Sequence, residues 1–319
     1  MRNPDVMLGR RVPAGLSRLK PFLALSRTPH LLLDLAAPAL SALLWLRAFP
    51  SARVMVLGFV TAFAGYTAVY ALNDLVDFRN DRKKVLEGGC RQCENYLDGA
   101  MVRHPMAQGL LSFLEGLLWA GGWALVSLIC AYLLNPVCVL IFLAGASLEI
   151  VYCLLWKISP FRTVVSGAVK TCGALAAVYA VDSSPSLLFL GMLFCWLFSW
   201  EIGGQNIPND WAEIEEDTRF QAKTVLIQFG AKRASVIALA CVFVAFIMNP
   251  ALLLVKDQEF PILYGAASSF IGFYLLLIPA YRLFRTRERL QALILFKKAS
   301  YYPLALLIVL TIRILAYST

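Results

Sequence analysis

Nine apolar stretches set the strongest limit on how this chain can fold. A helix needs about 20 mostly apolar residues to cross the hydrocarbon core of a bilayer. The stretches of about this length are residues 31–49, 53–72, 109–134, 137–156, 164–181, 186–207, 234–255, 263–283 and 300–315. We therefore predict an all-α polytopic membrane protein with nine transmembrane helices. Charged residues make up only 15% of the chain, against about 25% in soluble domains, which agrees with this fold class.

The basic residues are distributed unevenly between the two sides that these helices define. Of the 29 lysines and arginines, all but five lie in the N-terminal segment or in the loops after spans two, four, six and eight. The exceptions are Arg47, Arg53, Lys170, Lys256 and Arg313. Because basic residues accumulate in cytoplasmic loops, we expect a cytoplasmic N-terminus and a C-terminus on the opposite side. The net charge of +9 mostly reflects this bias, so we expect no nucleic-acid partner.

The chain divides into a short basic segment and one long membrane domain. Residues 1–27 have no apolar core, so we do not expect a cleaved signal peptide. Apolar residues at helical spacing predict an interfacial amphipathic helix in this segment: Leu8, Val12, Leu16, Leu19 and Leu23. Residues 28–319 are expected to form a single transmembrane domain. Cys90 and Cys93 form an isolated C-x-x-C pair, which we interpret as loop thiols rather than a zinc site.

Two acidic motifs of identical spacing interrupt the apolar chain. Both have the pattern Asn-Asp-x-x-acid-x-x-x-Asp. Motif 1 (residues 73–81) follows the second predicted span, and motif 2 (residues 209–217) follows the sixth. On a helix, acids at positions i, i+3 and i+7 share one face. The members are Asn73, Asp74, Asp77 and Asp81 in motif 1, and Asn209, Asp210, Glu213 and Asp217 in motif 2.

Carboxylates clustered in this way are expected to bind a divalent cation. Two acidic faces opposed across a cavity would repel each other strongly without one. Mg²⁺ prefers hard oxygen ligands and typically bridges carboxylates to substrate phosphates. Our candidate metal ligands are Asn73, Asp74, Asp77, Asp81, Asp210, Glu213 and Asp217. Spacing alone leaves the ligand subset open. The alternative is that the acids only solvate cytoplasmic loops, and the repetition of the motif argues against it.

The two motifs resemble those of the UbiA superfamily of intramembrane prenyltransferases. Motif 1 matches the first motif of that family in full. Motif 2 resembles the second, with Glu213 in place of the usual Asp and with Lys223-Thr224 where the family has Lys-Ser or Lys-Thr. The resemblance covers essentially the whole chain. It implies nine helices around a central cavity, with Asp-rich loops after helices two and six.

The resemblance also implies a reaction. Mg²⁺ would bind an isoprenyl diphosphate, whose ionisation gives an allylic carbocation that a lipophilic acceptor captures. The catalytic metal positions fall on Asp77, Asp81, Glu213 and Asp217. We expect diphosphate contacts from basic and amide side chains near the motifs, because such groups bind phosphate oxygens well. These candidates are Arg82, Lys83, Arg103, Arg219, Lys223, Asn73 and Asn206.

Several ionisable residues lie inside the predicted spans, where a charge is costly and usually faces a cavity or a partner. Lys170 is a further catalytic candidate that contacts the diphosphate or the acceptor. The alternative is a structural pair with an acid, for which Glu149 and Glu115 are candidates. Glu201, near the end of the sixth predicted span, is a candidate for the pocket wall.

Three functions are compatible with these features. The first, which we predict, is transfer of the isoprenyl group to an aromatic or quinone-precursor acceptor within the membrane lipid. The second is a terpene cyclase on the same scaffold, in which the cation attacks a double bond of its own chain. The motifs do not separate these two, because both need the same metal site. The third is a transporter, which explains the spans but not two metal-type motifs on one side of the membrane.

Overall fold

The computed structural model of the chain describes residues 16–87, 101–255 and 262–318. Every regular element within these residues is helical. In chain order the α-helices are α1 (Leu16–Leu25), α2 (Thr28–Asp34), α3 (Ala36–Leu46), α4 (Ala52–Val76), α5 (Phe78–Leu86), α6 (Phe113–Leu134), α7 (Pro136–Leu154), α8 (Arg162–Val181), α9 (Leu187–Trp200), α10 (Ile207–Ala212), α11 (Ile214–Arg219), α12 (Val225–Leu252), α13 (Ile262–Gly272), α14 (Ile278–Thr286) and α15 (Arg289–Ser318). Of the residues singled out in the sequence, five lie outside the described residues: Leu8, Val12, Cys90, Cys93 and Lys256.

Nine helical stretches in the described part of the chain are long and apolar enough to cross a membrane. They are span 1 (Thr28–Leu46), span 2 (Ala52–Val76), span 3 (Phe113–Leu134), span 4 (Pro136–Lys157), span 5 (Arg162–Val181), span 6 (Leu187–Ala212), span 7 (Val225–Leu252), span 8 (Leu263–Thr286) and span 9 (Arg289–Ala316). Large apolar side chains such as Phe59 and Leu118 are 58% and 66% exposed, as expected for helices that face lipid. The predicted all-α fold is confirmed.

Two spans begin earlier than hydropathy predicts. Span 7 has an extra segment before the predicted start at residue 234. The Thr224 side chain caps a first turn at Val225 by accepting a hydrogen bond from the Ile227 N–H (3.3 Å), and Gly230, with non-helical backbone angles (φ 76°, ψ 163°), separates that turn from the rest of the span. Span 9 begins at Arg289 instead of residue 300, since its polar first turns continue the same helix as the apolar part. Hydropathy detects only the apolar part of a helix, so predicted span 9 is too short at this end.

Small residues allow span 2 to pack closely against span 3. Ala64, Ala68 and Ala71 of α4 are buried, and so are Ser127 and Ala131 of α6. Membrane helices associate through such residues because short side chains let the backbones approach. This packing fixes α4, whose last turn begins motif 1.

Both motifs lie where a spanning helix ends and a short helix begins. Asp77 separates α4 from α5, and Glu213 separates α10 from α11. Their backbone angles are similar, with φ −85° and ψ 0° at Asp77 and φ −99° and ψ 9° at Glu213. Each motif therefore bends at its third polar position, a correction to the single helical face that the spacing predicts.

Span 6 reaches motif 2 through a π-helical segment, Glu201–Asn206. Close packing explains the two glycines in it. A Cβ atom on Gly203 would lie 2.6 Å from the carbonyl oxygen of Ala238, and one on Gly204 would lie 2.9 Å from the Cβ of Ala299. Such π-helical insertions occur frequently at functional sites. The segment sets how α10, and therefore motif 2, is turned relative to α9.

Candidate active site

A polar cavity of about 500 Å³ lies where the two motifs meet. Its wall includes members of both motifs: Asn73, Asp74, Asp77, Asp81, Asn209, Asp210 and Glu213. Asp217 is buried beside it, and its Oδ1 atom accepts a hydrogen bond from Nε1 of Trp156 (3.3 Å), a residue of the cavity wall. The fold thus brings motifs far apart in the sequence to one site.

Three basic side chains pair with the carboxylates of motif 1. Nη2 of Arg27 lies 3.4 Å from Oδ1 of Asp74. Nδ1 of His104 lies 3.4 Å from the same oxygen and 3.0 Å from Oδ2 of Asp81. Nζ of Lys84 lies 3.3 Å from Oδ1 of Asp81. Asp74 and Asp81 of motif 1 are therefore balanced by cations of the protein itself.

The pKa values of Asp81 and His104 follow from this pairing. Burial alone would raise the pKa of Asp81, but His104 and Lys84 outweigh burial and lower the pKa to about 2. Burial would lower the pKa of His104, but Asp81 and Asp74 raise it to about 9. Atoms of Asp74, Asp81 and His104 lie within 4.8 Å of one another, as in a metal site. A protonated imidazole has no lone pair for a metal, so His104 acts here as a cation.

Motif 2 is tied to the same loop through Arg103, the residue before His104. Nη2 of Arg103 lies 2.7 Å from Oε1 of Glu213, and Nη1 lies 3.3 Å from Oε2 of Glu216. Nζ of Lys84 lies 3.4 Å from the other oxygen of Glu216. One loop therefore supplies a cation to each motif.

Other acids of the site are unfavourable as anions, because nearby bases such as Arg162 and Lys84 do not fully offset their burial and mutual repulsion. Burial, and then Glu213, raise the pKa of Asp217 to about 7. Burial, and then Asp81, raise the pKa of Asp77. Within the described residues, the buried Oδ2 atom of Asp210 has no hydrogen-bond partner. Buried carboxyl groups whose ionised form lacks a full counter-charge fit a hard divalent cation such as Mg²⁺.

The predicted diphosphate contacts fall into two groups. Asn73, Arg103 and Asn206 line the polar cavity. The other four do not: Arg82 and Lys83 are exposed on α5, and Arg219 and Lys223 are exposed beyond motif 2. Nζ of Lys83 lies 3.8 Å from Oε1 of Glu87, and Arg219 donates to the Glu87 carbonyl oxygen (2.6 Å). These four side chains lie outside the site.

Comparison with known proteins identifies the fold family. The sequence model of the UbiA prenyltransferase family matches residues 35–310, most of the chain. The chain belongs to the UbiA prenyltransferase family. It is a multi-pass integral membrane protein, as the resemblance of the motifs implies. No curated protein matches the sequence significantly.

The fold of this UbiA family member is similar to those of solved family structures. A UbiA homolog from Aeropyrum pernix K1 is 18% identical, with 91% of this chain and 98% of that chain covered and a TM-score of 0.65. A UbiA homolog from Archaeoglobus fulgidus bound to GPP and Mg²⁺ is 17% identical, with 91% and 99% covered and a TM-score of 0.64. A digeranylgeranylglyceryl phosphate synthase structure is 16% identical, with 92% and 98% covered and a TM-score of 0.66. At these identities the likeness establishes the fold alone.

Sequence reasoning missed several side chains of the UbiA site. Arg27, His104 and Arg162 line the cavity but were not among the predicted contacts. The guanidinium carbon of Arg162 lies 4.3 Å from the ring centre of Tyr152. His104 follows a predicted residue directly and has a left-handed backbone (φ 50°), which is uncommon outside glycine. Arg27 lies far from either motif in the sequence, and no sequence pattern predicts its place in the cavity wall.

Lys170 lines the polar cavity of this UbiA protein and pairs with Asp34. The Lys170 Nζ atom lies 2.6 Å from Oδ2 of Asp34. The hydroxyl of Tyr70 donates to the same oxygen, and Nε2 of His30 lies 3.7 Å from Oδ1. Charged groups inside membrane spans usually find such partners.

The acid that pairs with Lys170 is Asp34, and not Glu149 or Glu115 as the sequence suggested. Glu149 instead accepts a hydrogen bond from Nδ2 of Asn73 (2.6 Å). Glu115 forms a capping box with Ser112 at the start of span 3. Sequence spacing does not reveal a pair such as Lys170 and Asp34, because its members lie on different helices.

A second, apolar cavity of about 390 Å³ adjoins the polar one. Its wall comes from α3, α4, α6, α7 and α8. Tyr66, Val69 and Val169 line both cavities. The UbiA fold here therefore places an apolar chamber directly beside the acidic site.

Proposed function

We propose that this protein transfers an isoprenyl group from an isoprenyl diphosphate to a lipophilic acceptor, an aromatic or quinone-precursor compound, in a Mg²⁺-dependent reaction. The observation that carries the proposal is the polar cavity bearing both acidic motifs beside an apolar chamber. An isoprenyl diphosphate has the same division into a charged head and an apolar tail. The Archaeoglobus fulgidus homolog bound to GPP and Mg²⁺ gives further support.

Carboxylates from both motifs would hold the metal. The proposed ligand set is Asp77, Asp81, Glu213 and Asp217, with Asn73, Asp74 and Asp210 beside them. When bound, Mg²⁺ supplies neutralisation of the charge that develops on the departing diphosphate. Because the two motifs come from different halves of the bundle, neither half alone would complete this ligand set.

Basic residues of the cavity wall would bind the diphosphate. Arg103 has the planar group that can grip a phosphate with two hydrogen bonds, whereas Lys84 acts as a point charge. Both now pair with acids, so the diphosphate would replace some of those partners. Arg162 and Lys170 line the same cavity, and we assign Lys170 to the diphosphate or the acceptor.

The apolar chamber would hold the isoprenyl tail and exclude water from the cation. The rings of Tyr66 and Tyr70 are stacked with centres 6.4 Å apart, and both residues line the polar cavity. Aromatic faces attract cations. As the C–O bond breaks, its electron pair leaves with the diphosphate, and an electron pair of the acceptor forms the new bond to the isoprenyl carbon.

An assay of the purified protein in nanodiscs tests this function. We expect diphosphate and a prenylated product when geranylgeranyl diphosphate, Mg²⁺ and 4-hydroxybenzoate or 1,4-dihydroxy-2-naphthoate are supplied. EDTA and the Asp81→Asn substitution should abolish both products. Glu215→Gln is the matched control, since this neighbouring acid has a side chain that is 85% exposed. Diphosphate release with a cyclic hydrocarbon and without prenylated probe would instead support the cyclase.

We also propose that both motifs face the cytoplasm, with the N-terminus on the same side and the C-terminus opposite. The concentration of basic residues in the segments beside the motifs supports this orientation. Tags at the two ends should show opposite protease sensitivity in sealed membrane vesicles. Equal sensitivity of both tags would contradict the proposal.

A further inference from the structure

A carboxylate outside both motifs faces the polar cavity. Glu201, the first residue of the π-helical segment, lines this cavity and is buried. Its Oε1 atom accepts a hydrogen bond from Oγ of Ser166 (2.8 Å). Its Oε2 atom has no hydrogen-bond partner in the described part of the chain. An unsatisfied buried oxygen of this kind is costly, and acids inside membrane spans usually serve a function.

Glu201 lies near the boundary between the two cavities. Ser166, its hydrogen-bond partner, precedes Val169 by three positions on α8, so the two side chains share a helix face. Val169 and Tyr66 line both cavities, and Tyr66 is close enough to interact electrostatically with Glu201. Under the proposed function, the diphosphate ends and the isoprenyl tail begins at this boundary.

The charged groups that surround Glu201 have partners of their own. Lys170 on α8, Asp34 on α2 and Glu149 on α7 interact with it electrostatically. Lys170 and Asp34 pair with each other at 2.6 Å. Glu149 accepts the amide hydrogen bond of Asn73 at 2.6 Å. In this part of the cavity, Oε2 of Glu201 is thus a carboxylate oxygen with free capacity to accept a proton.

Prenyl transfer needs such a group. When the acceptor captures the allylic cation, the attacked atom gains a bond to carbon and must lose a proton to become neutral. The motif carboxylates are ill placed to take it if they hold Mg²⁺. A base within reach of the acceptor, away from the metal, would complete the reaction.

We propose that Glu201 is this base: its Oε2 atom takes the proton that the acceptor releases on capturing the prenyl cation, while Ser166 holds Oε1. The inference rests on the proposed prenyl transfer and deepens it. It assigns the acceptor to compounds whose nucleophilic atom carries a hydrogen, such as a phenol or an aromatic C–H. The crowded Gly203 and Gly204 fix the backbone that carries Glu201. After turnover, the proton returns from Glu201 to water.

The test compares the wild-type protein with Glu201→Gln, which keeps the shape and the Ser166 hydrogen bond but is not basic. Purified protein in nanodiscs receives geranylgeranyl diphosphate, Mg²⁺ and the two phenolic probes named above. Diphosphate and prenylated probe are measured separately from pH 6 to pH 10, along with geranylgeraniol, the product of capture by water. Stabilisation of each variant by geranylgeranyl diphosphate and Mg²⁺ reports folding and binding.

We expect Glu201→Gln to lower the kcat for prenylated probe by about 10² to 10⁴-fold, the usual contribution of a general base. The KM for the diphosphate and the stabilisation of the protein by diphosphate and Mg²⁺ should both stay within about twofold of the wild-type values. The share of product that is geranylgeraniol should rise. Glu201→Asp should recover part of the transfer rate. Activity of the Gln variant should also increase at high pH, where the phenol ionises in solution. A structural role would give no such pH recovery.

Two results would overturn the inference in different ways. If Glu201→Gln forms prenylated probe at the wild-type rate, or loses diphosphate binding as well as transfer, Glu201 is not the base although the proposed function stands. If the wild-type protein releases no diphosphate with either probe and is not stabilised by the diphosphate and Mg²⁺, the proposed function fails and this inference fails with it.

Discussion

Motif 1 and motif 2 have the same spacing but differ in how their charge is balanced. In motif 1, the buried carboxylates of Asp74 and Asp81 share the cations Arg27, His104 and Lys84. In motif 2, Arg103 pairs with Glu213, the bend residue, whose side chain is 19% exposed. The pKa of Asp81 is lowered to about 2, whereas that of Asp217 is raised to about 7.

The difference shows that identical spacing does not produce identical electrostatics. The surroundings of motif 1 hold Asp81 as an anion before any ligand binds. The buried acids of motif 2 depend more on an added cation, because burial and mutual repulsion oppose their ionisation. We therefore expect Mg²⁺ to contribute more to the charge balance of motif 2.

The largest effect should come from removing one metal carboxylate from either motif. We expect Asp77→Asn and Asp217→Asn each to lower Mg²⁺-dependent diphosphate release by at least ~10²-fold, because each removes charge that stabilises the transition state. The measurement is diphosphate release from geranylgeranyl diphosphate, with Glu215→Gln as the control. Near-native release by either variant would show that its motif is not part of a shared metal site.

A smaller effect should follow from removing the cation between two carboxylates of motif 1. His104→Gln leaves Asp74 and Asp81 less balanced, so we expect the metal-free protein to lose about 1–3 kcal/mol of stability. Mg²⁺ should restore part of this loss, because it replaces positive charge and binds the folded state. Thermal unfolding with Mg²⁺ or with EDTA measures both effects.

The matched variant for motif 2 is Arg103→Gln. Its partners Glu213 and Glu216 have side chains that are 19% and 12% exposed, against 5% and 3% for the partners of His104, so the loss of stability without metal should be smaller. Equal losses for the two variants would contradict the contrast between the motifs.

Two adjacent lysines should differ in their effect on substrate binding. Lys84→Met removes a buried cation that contacts Asp81 and Glu216, and we expect the KM for the diphosphate to rise about tenfold, as for one lost charged contact. Lys83→Met should change KM little, since the Lys83 side chain is 60% exposed. Steady-state kinetics of both variants provide the measurement. Equal effects would place the diphosphate outside the cavity.

The smallest effect should come from shortening a ligand without changing its charge. Glu213→Asp restores the residue usual in the family motif, so we expect turnover within about threefold of the wild type. Glu213→Gln removes the charge and should lower turnover by tenfold or more, about 1.4 kcal/mol in the barrier. The same diphosphate assay applies to both. A larger loss of turnover in Glu213→Asp than in Glu213→Gln would show that the length of the side chain matters more than its charge.

The sequence predicts the repeated elements of this fold better than the contacts between them. Apolar stretches and motif spacing predict the helical fold and the two acidic clusters, since both are local patterns. Helix geometry explains why the prediction of Lys83 as a diphosphate contact is wrong. On α5, Lys83 is two positions after Asp81 and points away from the face that carries Asp81. Lys84 is three positions after Asp81 and lies on the same face. Helical periodicity alone therefore separates these two lysines.

Other parts of the site depend on contacts between distant segments. Lys170 and Asp34 are 136 positions apart, and Arg27 reaches Asp74 across 47 positions. No local pattern connects such pairs, because the packing of the spans brings them together. The position of Glu201 at the cavity boundary likewise depends on the π-helical insertion, which neither hydropathy nor spacing reveals.

The pairing of Arg103 with Glu213 bears on how the reaction ends. A diphosphate bound by Arg103 must compete with Glu213 for the same guanidinium, and the inorganic diphosphate product faces that competition after the isoprenyl group has left. Once the product is no longer joined to a tail in the apolar chamber, re-formation of the internal ion pair favours its departure. The acid that helps to bind the metal would thus also help to clear the site for the next turnover.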